Sequence, residues 1–98
     1  MCQEEIVGQS VSPDGKWSAK TVLRDCGATT PETSLVYLQS AASPPKKLGE
    51  VVVVIRHKHG IELRWQDKGT LIVDCAKCGG DVRLARSNAH DIDIVVNR

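Results

Sequence analysis

Short apolar runs, alternating in places with polar residues, recur along the chain, and clusters of Gly, Pro, Asn, Asp and Ser bound them. A period of two is the signature of half-buried strands, because successive side chains leave a strand on opposite faces. The pattern predicts strands over 5–11, 17–25, 34–39, 50–56, 61–66, 70–75, 82–85 and 91–96. Turn signals occupy 27–33, the 41–47 stretch with Pro44-Pro45, 57–60, and Gly79-Gly80. Helical periodicity is weak throughout; 83–90 is the least unfavourable window. The expectation is a single all-β domain over residues 1–98, a small antiparallel sandwich or meander of about six to eight short strands.

Two hairpins follow from turn chemistry. Pro13-Asp14-Gly15 suits a three-residue loop, with Pro presetting φ and Gly taking the left-handed position. Ser12 then pairs with Lys16, Val11 with Trp17, Val7 with Thr21 and Ile6 with Val22. The same register sets Cys2 opposite Cys26. In the second hairpin Asp67-Lys68-Gly69 forms the loop, so Trp65 faces Leu71, Leu63 faces Val73 and Ile61 faces Cys75. A one-residue slip would turn these apolar residues to the other face. Trp17 and Trp65 are the expected core anchors of the two hairpins.

Composition sharpens the class. The chain is 41% hydrophobic, contains no Phe and is rich in β-branched residues, which favour strands over helices. Its formal net charge is +1, and Lys46-Lys47 is the one adjacent basic pair, so no nucleic-acid partner is expected. The longest continuous apolar run, 51–55, is too short to span a bilayer. Met1-Cys2 reads as an initiator placed ahead of a mature segment, with a signal or anchor segment missing; a natural cytosolic start is the alternative.

Four cysteines offer four kinds of chemistry: disulfide bonding, lipid acylation, dithiol redox and zinc ligation. Directly opposed strand residues lie within disulfide reach, which predicts a Cys2–Cys26 link. Its closure would stabilise the fold by roughly 3 kcal/mol in the chain-entropy picture, given an oxidising compartment. Cys2 as the acylated first residue of a lipoprotein is the competing reading. Cys75-Ala76-Lys77-Cys78-Gly79-Gly80 is a C-x-x-C run, read here as a local disulfide. A redox dithiol of the thioredoxin kind is discounted, because the run follows a strand and precedes glycines. The zinc alternative takes His57, His59, Cys75 and Cys78 as ligands, although H-x-H is an unusual spacing for a structural site. No metal and no cofactor are expected.

The remaining chemistry is sparse. His57-Lys58-His59-Gly60 reads first as a polar hairpin turn, and Asp91 and Asp93 as the solvated face of an edge strand. G-x-S-x-G, P-loop and H-E-x-x-H motifs are absent. Residues 27–33, with Thr29, Thr30 and Glu32, form a candidate binding loop pinned at one end by the predicted disulfide; a turn whose hydroxyls cap backbone groups is the alternative.

A C-x-x-E-I start, Ser12-Pro13-Asp14-Gly15-Lys16 and Asp25-Cys26-Gly27-Ala28-Thr29-Thr30 together resemble a family of small, uncharacterised bacterial exported or membrane-anchored proteins. Members also carry R-W-x-D followed by an apolar strand, matched here by Arg64-Trp65-Gln66-Asp67 and Leu71–Val73. The likeness covers most of the first 40 residues; Cys75-x-x-Cys78 and the histidine turn depart from it. It implies an envelope location (periplasmic, cell-surface or secreted), membrane attachment through a missing segment or acylated Cys2, and no particular activity. The combined expectation is a non-enzymatic exported module that binds a protein. A small inhibitor or immunity protein and a zinc-stabilised cytosolic module are the alternatives.

Overall fold

A computed structural model describes residues 2–27, 31–43 and 49–97. Among them are nine strands and one 3-10 turn, arranged as two sheets. Strands β1 (Gln3–Val11), β2 (Trp17–Asp25), β3 (Thr33–Ser40), β4 (Glu50–Arg56) and β7 (Val82–Ala85) form a five-stranded antiparallel sheet in the order β1-β2-β3-β4-β7. The second sheet has the order β5-β6-β9-β8, from β5 (Glu62–Asp67), β6 (Thr70–Asp74), β8 (Asn88–Ala89) and β9 (Ile92–Asn97). Its β6 and β9 run parallel, so the sandwich is mixed rather than purely antiparallel. The 83–90 window is not helical; it is divided between β7 and β8.

The main core lies between the sheets. Ala19, Val36, Leu38, Val53 and Ile55 from the first sheet meet Leu71, Val73, Ile92 and Ile94 from the second, with Cys75 and Cys78 closing one end. A smaller cluster of Val22, Leu35 and Tyr37 occupies the opposite face of the first sheet. The cross-strand row Ile6–Val22–Leu35–Val54–Leu84 runs through it, because paired residues share a face. Trp17 and Trp65 are half-buried against the main core rather than enclosed. Trp17 stacks on His90 with ring centroids 5.3 Å apart, and the Trp65 Nε1–H donates to the Ser10 carbonyl at 3.2 Å. That bond ties β5 to β1 across the two sheets.

Both hairpins form, with shifted turns. The first loop holds four residues. Ser12 N–H donates to the Trp17 carbonyl at 2.8 Å, and the Ser12 hydroxyl donates to Asp14 Oδ1 at 2.6 Å while accepting from Trp17 N–H at 3.1 Å. Val11 therefore faces Ser18, not Trp17, and Gly8, not Val7, faces Thr21. A bulge at Val7 absorbs the extra residue and restores Ile6 opposite Val22. In the second hairpin Lys68-Gly69 is a two-residue turn, Gln66 bulges, and the Trp65–Leu71 and Leu63–Val73 pairs stand as expected. Residues 57–60 are not a hairpin turn, since β4 and β5 belong to different sheets. Pro44-Pro45 and Lys46-Lys47 lie outside the described residues.

Candidate functional site

One end of the sandwich gathers most of the chemistry-bearing side chains. There β1 begins, β2 ends, β3 begins, and the chain crosses between sheets twice: from β4 to β5 through 57–61, and from β6 to β7 through 75–81. The first crossing turns at His57, whose φ is +72°. Its N–H donates to the Glu32 carbonyl at 2.7 Å, and its carbonyl accepts from the Ser34 hydroxyl at 2.9 Å. The second crossing is anchored by Cys75 N–H donating to the Asn97 carbonyl at 2.8 Å. It then coils through Cys78 N–H to the Cys75 carbonyl and Asp81 N–H to the Cys78 carbonyl. A left-handed Gly79, φ +46°, lets it start the 3-10 turn Gly79–Asp81.

All four cysteines are paired. Cys2 and Cys26 form a disulfide with Cα atoms 3.9 Å apart, and Cys75 and Cys78 form one with Cα atoms 5.4 Å apart. The two crossings bring His59 beside the second pair: one ligand atom each from His59, Cys75 and Cys78 lie within 4.8 Å of one another. The two cysteines are buried and His59 is half-buried. His59 Nε2 is 2.8 Å from Asp81 Oδ2, and this hydrogen bond is the main influence holding the Asp81 carboxyl below its ordinary value. Of the zinc alternative's four residues, three converge. His57 is exposed, does not join them, and Asp81 stands behind His59 instead.

Beside Cys2–Cys26 opens a concavity of about 550 Å³, lined by Gln3, Glu4, Glu5, Leu23, Asp25, Glu32 and Lys58. Arg24 neutralises Glu4 at 2.8 Å, and the Asp25 carboxylate accepts the Gly27 N–H at 3.0 Å. Leu23 and Lys58 also border a crevice of about 220 Å³ at the mouth between the sheets, with Val7, Thr21, Ser34 and Ile61. Thr21 Oγ1 is buried there without a hydrogen-bond partner among the described residues. A buried hydroxyl left unpaired is costly, so this oxygen is suited to a group entering the crevice.

The candidate binding loop is met in part. Glu32 lines the concavity; Thr29 and Thr30 lie outside the described residues. No family model, no curated protein and no solved structure matches the chain. The site therefore stands on its own geometry. Two cysteine pairs at disulfide distance point to an oxidising, non-cytoplasmic environment. No helix among the described residues is long and apolar enough to cross a membrane.

Sequence reasoning missed Asp81, Lys58 and Thr21. Asp81 carried the one available signal, its place directly after C-x-x-C-G-G. Lys58 and Thr21 carried none, because their role depends on a crossing that the 57–60 stretch does not announce.

Proposed function

We propose that the protein is an exported, non-enzymatic binding module that receives a cationic segment of a protein partner at its cysteine-rich end. The observation that carries this reading is the concavity beside Cys2–Cys26. Glu5, Asp25 and Glu32 converge there, while Arg24 already offsets Glu4, and among the described residues Lys58 is the one cation on the wall. A concave, net-acidic surface attracts Lys or Arg side chains and accelerates their encounter. The adjoining crevice, with Leu23, Val7 and the unpartnered Thr21 hydroxyl, offers room for one side chain of the same segment. The disulfide fixes the β1 and β2 ends that carry Glu4, Glu5 and Asp25, so less ordering entropy is lost on binding. The resemblance in S-P-D-G-K and D-C-G-A-T-T supports the envelope location.

The test immobilises the oxidised protein and offers it an envelope extract of its source and a set of extended cationic, neutral and acidic peptides. A charge-reversed variant, Glu5→Lys with Asp25→Lys and Glu32→Lys, runs alongside. The expected result is retention of an extract protein and of the cationic peptides by the parent, lost in the variant. Equal retention by both, or hydrolysis of generic ester, glycoside or phosphate substrates with no retained partner, overturns the reading.

A further inference from the structure

We propose that Cys75, Cys78 and His59 form a redox-gated zinc site, closed while the disulfide is intact and able to hold one Zn²⁺ once it is reduced. This inference is independent of the docking proposal above. Three donor atoms from two separate crossings lie within 4.8 Å of one another. Tetrahedral zinc places sulfurs about 3.8 Å apart at the usual Zn–S length of about 2.3 Å, and the two cysteines already share one turn, with Cys78 N–H donating to the Cys75 carbonyl at 3.2 Å. Two thiolates and an imidazole form a soft donor set that suits Zn²⁺ and disfavours Mg²⁺ or Ca²⁺.

The surroundings fit a metal in three further respects. Asp81 Oδ2 engages His59 Nε2 at 2.8 Å, so Nδ1 is the nitrogen this proposal assigns to the metal, and the carboxylate gives the ligand the support that metal-bound histidines commonly have. Cys75 and Cys78 are 1% and 2% exposed. Two thiolates at that depth need a compensating dication, and Zn²⁺ with two thiolates and a neutral imidazole carries no net charge. Lys58, Gly60, Ala76 and Lys77 border a surface hollow of about 370 Å³ beside His59, which gives the ion a way in and leaves its fourth place to solvent.

The redox step balances with a dithiol reductant. Its two S–H bonds break and an S–S bond forms between its sulfurs. The Cys75–Cys78 bond takes up the two electrons and two protons and becomes two thiols, and Zn²⁺ binding then releases both thiol protons to solvent. Opening this link costs the fold little, because the joined residues are three apart in sequence. Cys2–Cys26, spanning 24 residues, is a separate bond at the other side of this end.

The experiment compares the full chain, oxidised and reduced with a phosphine that does not bind metal, by native mass spectrometry after zinc addition and gel filtration. Peptide mapping identifies which pair is open. One zinc per chain is expected in the reduced form and none in the oxidised form. Co²⁺ in place of zinc should show thiolate charge-transfer and tetrahedral d–d bands. His59→Ala should weaken zinc binding at least about 100-fold, and Asp81→Asn by about 10–100-fold at unchanged stoichiometry. Lys77→Ala should change neither. Should the reduced, metal-free chain unfold, zinc must restore its sheet circular dichroism with His59 present and fail to do so in His59→Ala. Absence of stoichiometric zinc in the reduced protein, equal zinc in the oxidised protein, or unaltered affinity in His59→Ala overturns the proposal.

Discussion

Gly49, just before β4, has φ +92°, and a Cβ built on it would come within 2.5 Å of both the Gln39 Cβ and the Leu38 carbonyl oxygen. Backbone cannot yield there as a flexible side chain would. Gly49→Ala should therefore cost at least ~2 kcal/mol, a fall in Tm of roughly 10 °C for a domain of this size. Gly15→Ala is the control: its φ is +74°, yet among the described residues nothing lies within 4 Å of the added carbon, so only left-handed strain of about 1 kcal/mol is expected. Equal losses in the two variants would sink the close-approach argument. Glu50, the next residue, accepts hydrogen bonds from Arg86 and from His90, with Arg86 the larger influence, and its carboxyl lies below the ordinary 4.5. A depressed folded value means that this stabilisation is full above the unfolded value and is lost as pH falls through the folded one. Urea melts of Glu50→Gln should therefore lose less stability than the parent on acidification below pH 4.5; matching acid limbs would remove Glu50 from the account.

At the scale of elements, short apolar runs bounded by turn residues located eight of the nine described strands; β2 and β3 are buried on both faces along most of their length, so alternation alone would not mark them. The first hairpin shows where that reading stops. Its turn chemistry was sound in kind, but Ser12 closes on Trp17 through its own hydroxyl and lengthens the loop by one residue. Cys2 still meets Cys26, because the Val7 bulge absorbs that residue before the strand reaches the disulfide. Nothing in the composition of Val7 marks a bulge. The strand's open side explains its place: β1 leaves Ile6, Val7 and Val11 about half exposed and leans on β5 through the Trp65 indole. Trp65→Phe keeps most of the apolar contact and deletes the bond to Ser10, so a loss of about 1 kcal/mol is expected, with faster amide exchange along β1. Trp65→Ala should cost about 3 kcal/mol, the low end for an aromatic, since the ring is half-buried. An unchanged melt for both variants would make Trp65 a surface residue.

The whole molecule explains why the site was harder to read than the strands. His59, Cys75, Cys78 and Asp81 come from two crossings that are separated by a complete hairpin, and they meet only because both crossings fall at the same end of the sandwich. Local pattern fixes strands; it does not say that β4 and β5 part into different sheets or that β9 lies parallel to β6. The same end carries the two covalent links, and they differ in what they do for stability. Cys2–Cys26 joins residues 24 apart with exposed side chains, so its contribution comes almost wholly from restricting the unfolded chain. Cys75–Cys78 joins residues three apart inside the core cluster, so its contribution is mostly packing. The paired variant Cys2→Ala with Cys26→Ala should thus lose about 3 kcal/mol in urea unfolding while its refolding in the folded baseline, near-ultraviolet spectrum and core amide protection stay those of the parent. Cys75→Ala with Cys78→Ala should instead alter the exchange of core amides around Val73 and Ile92, because removing two buried sulfurs leaves a void beside them. Peptide mapping of protein made in an oxidising compartment supplies the check on the premise: alkylatable thiols at both Cys2 and Cys26 would show that the first link does not form, and the stability difference assigned to it would have to vanish with it.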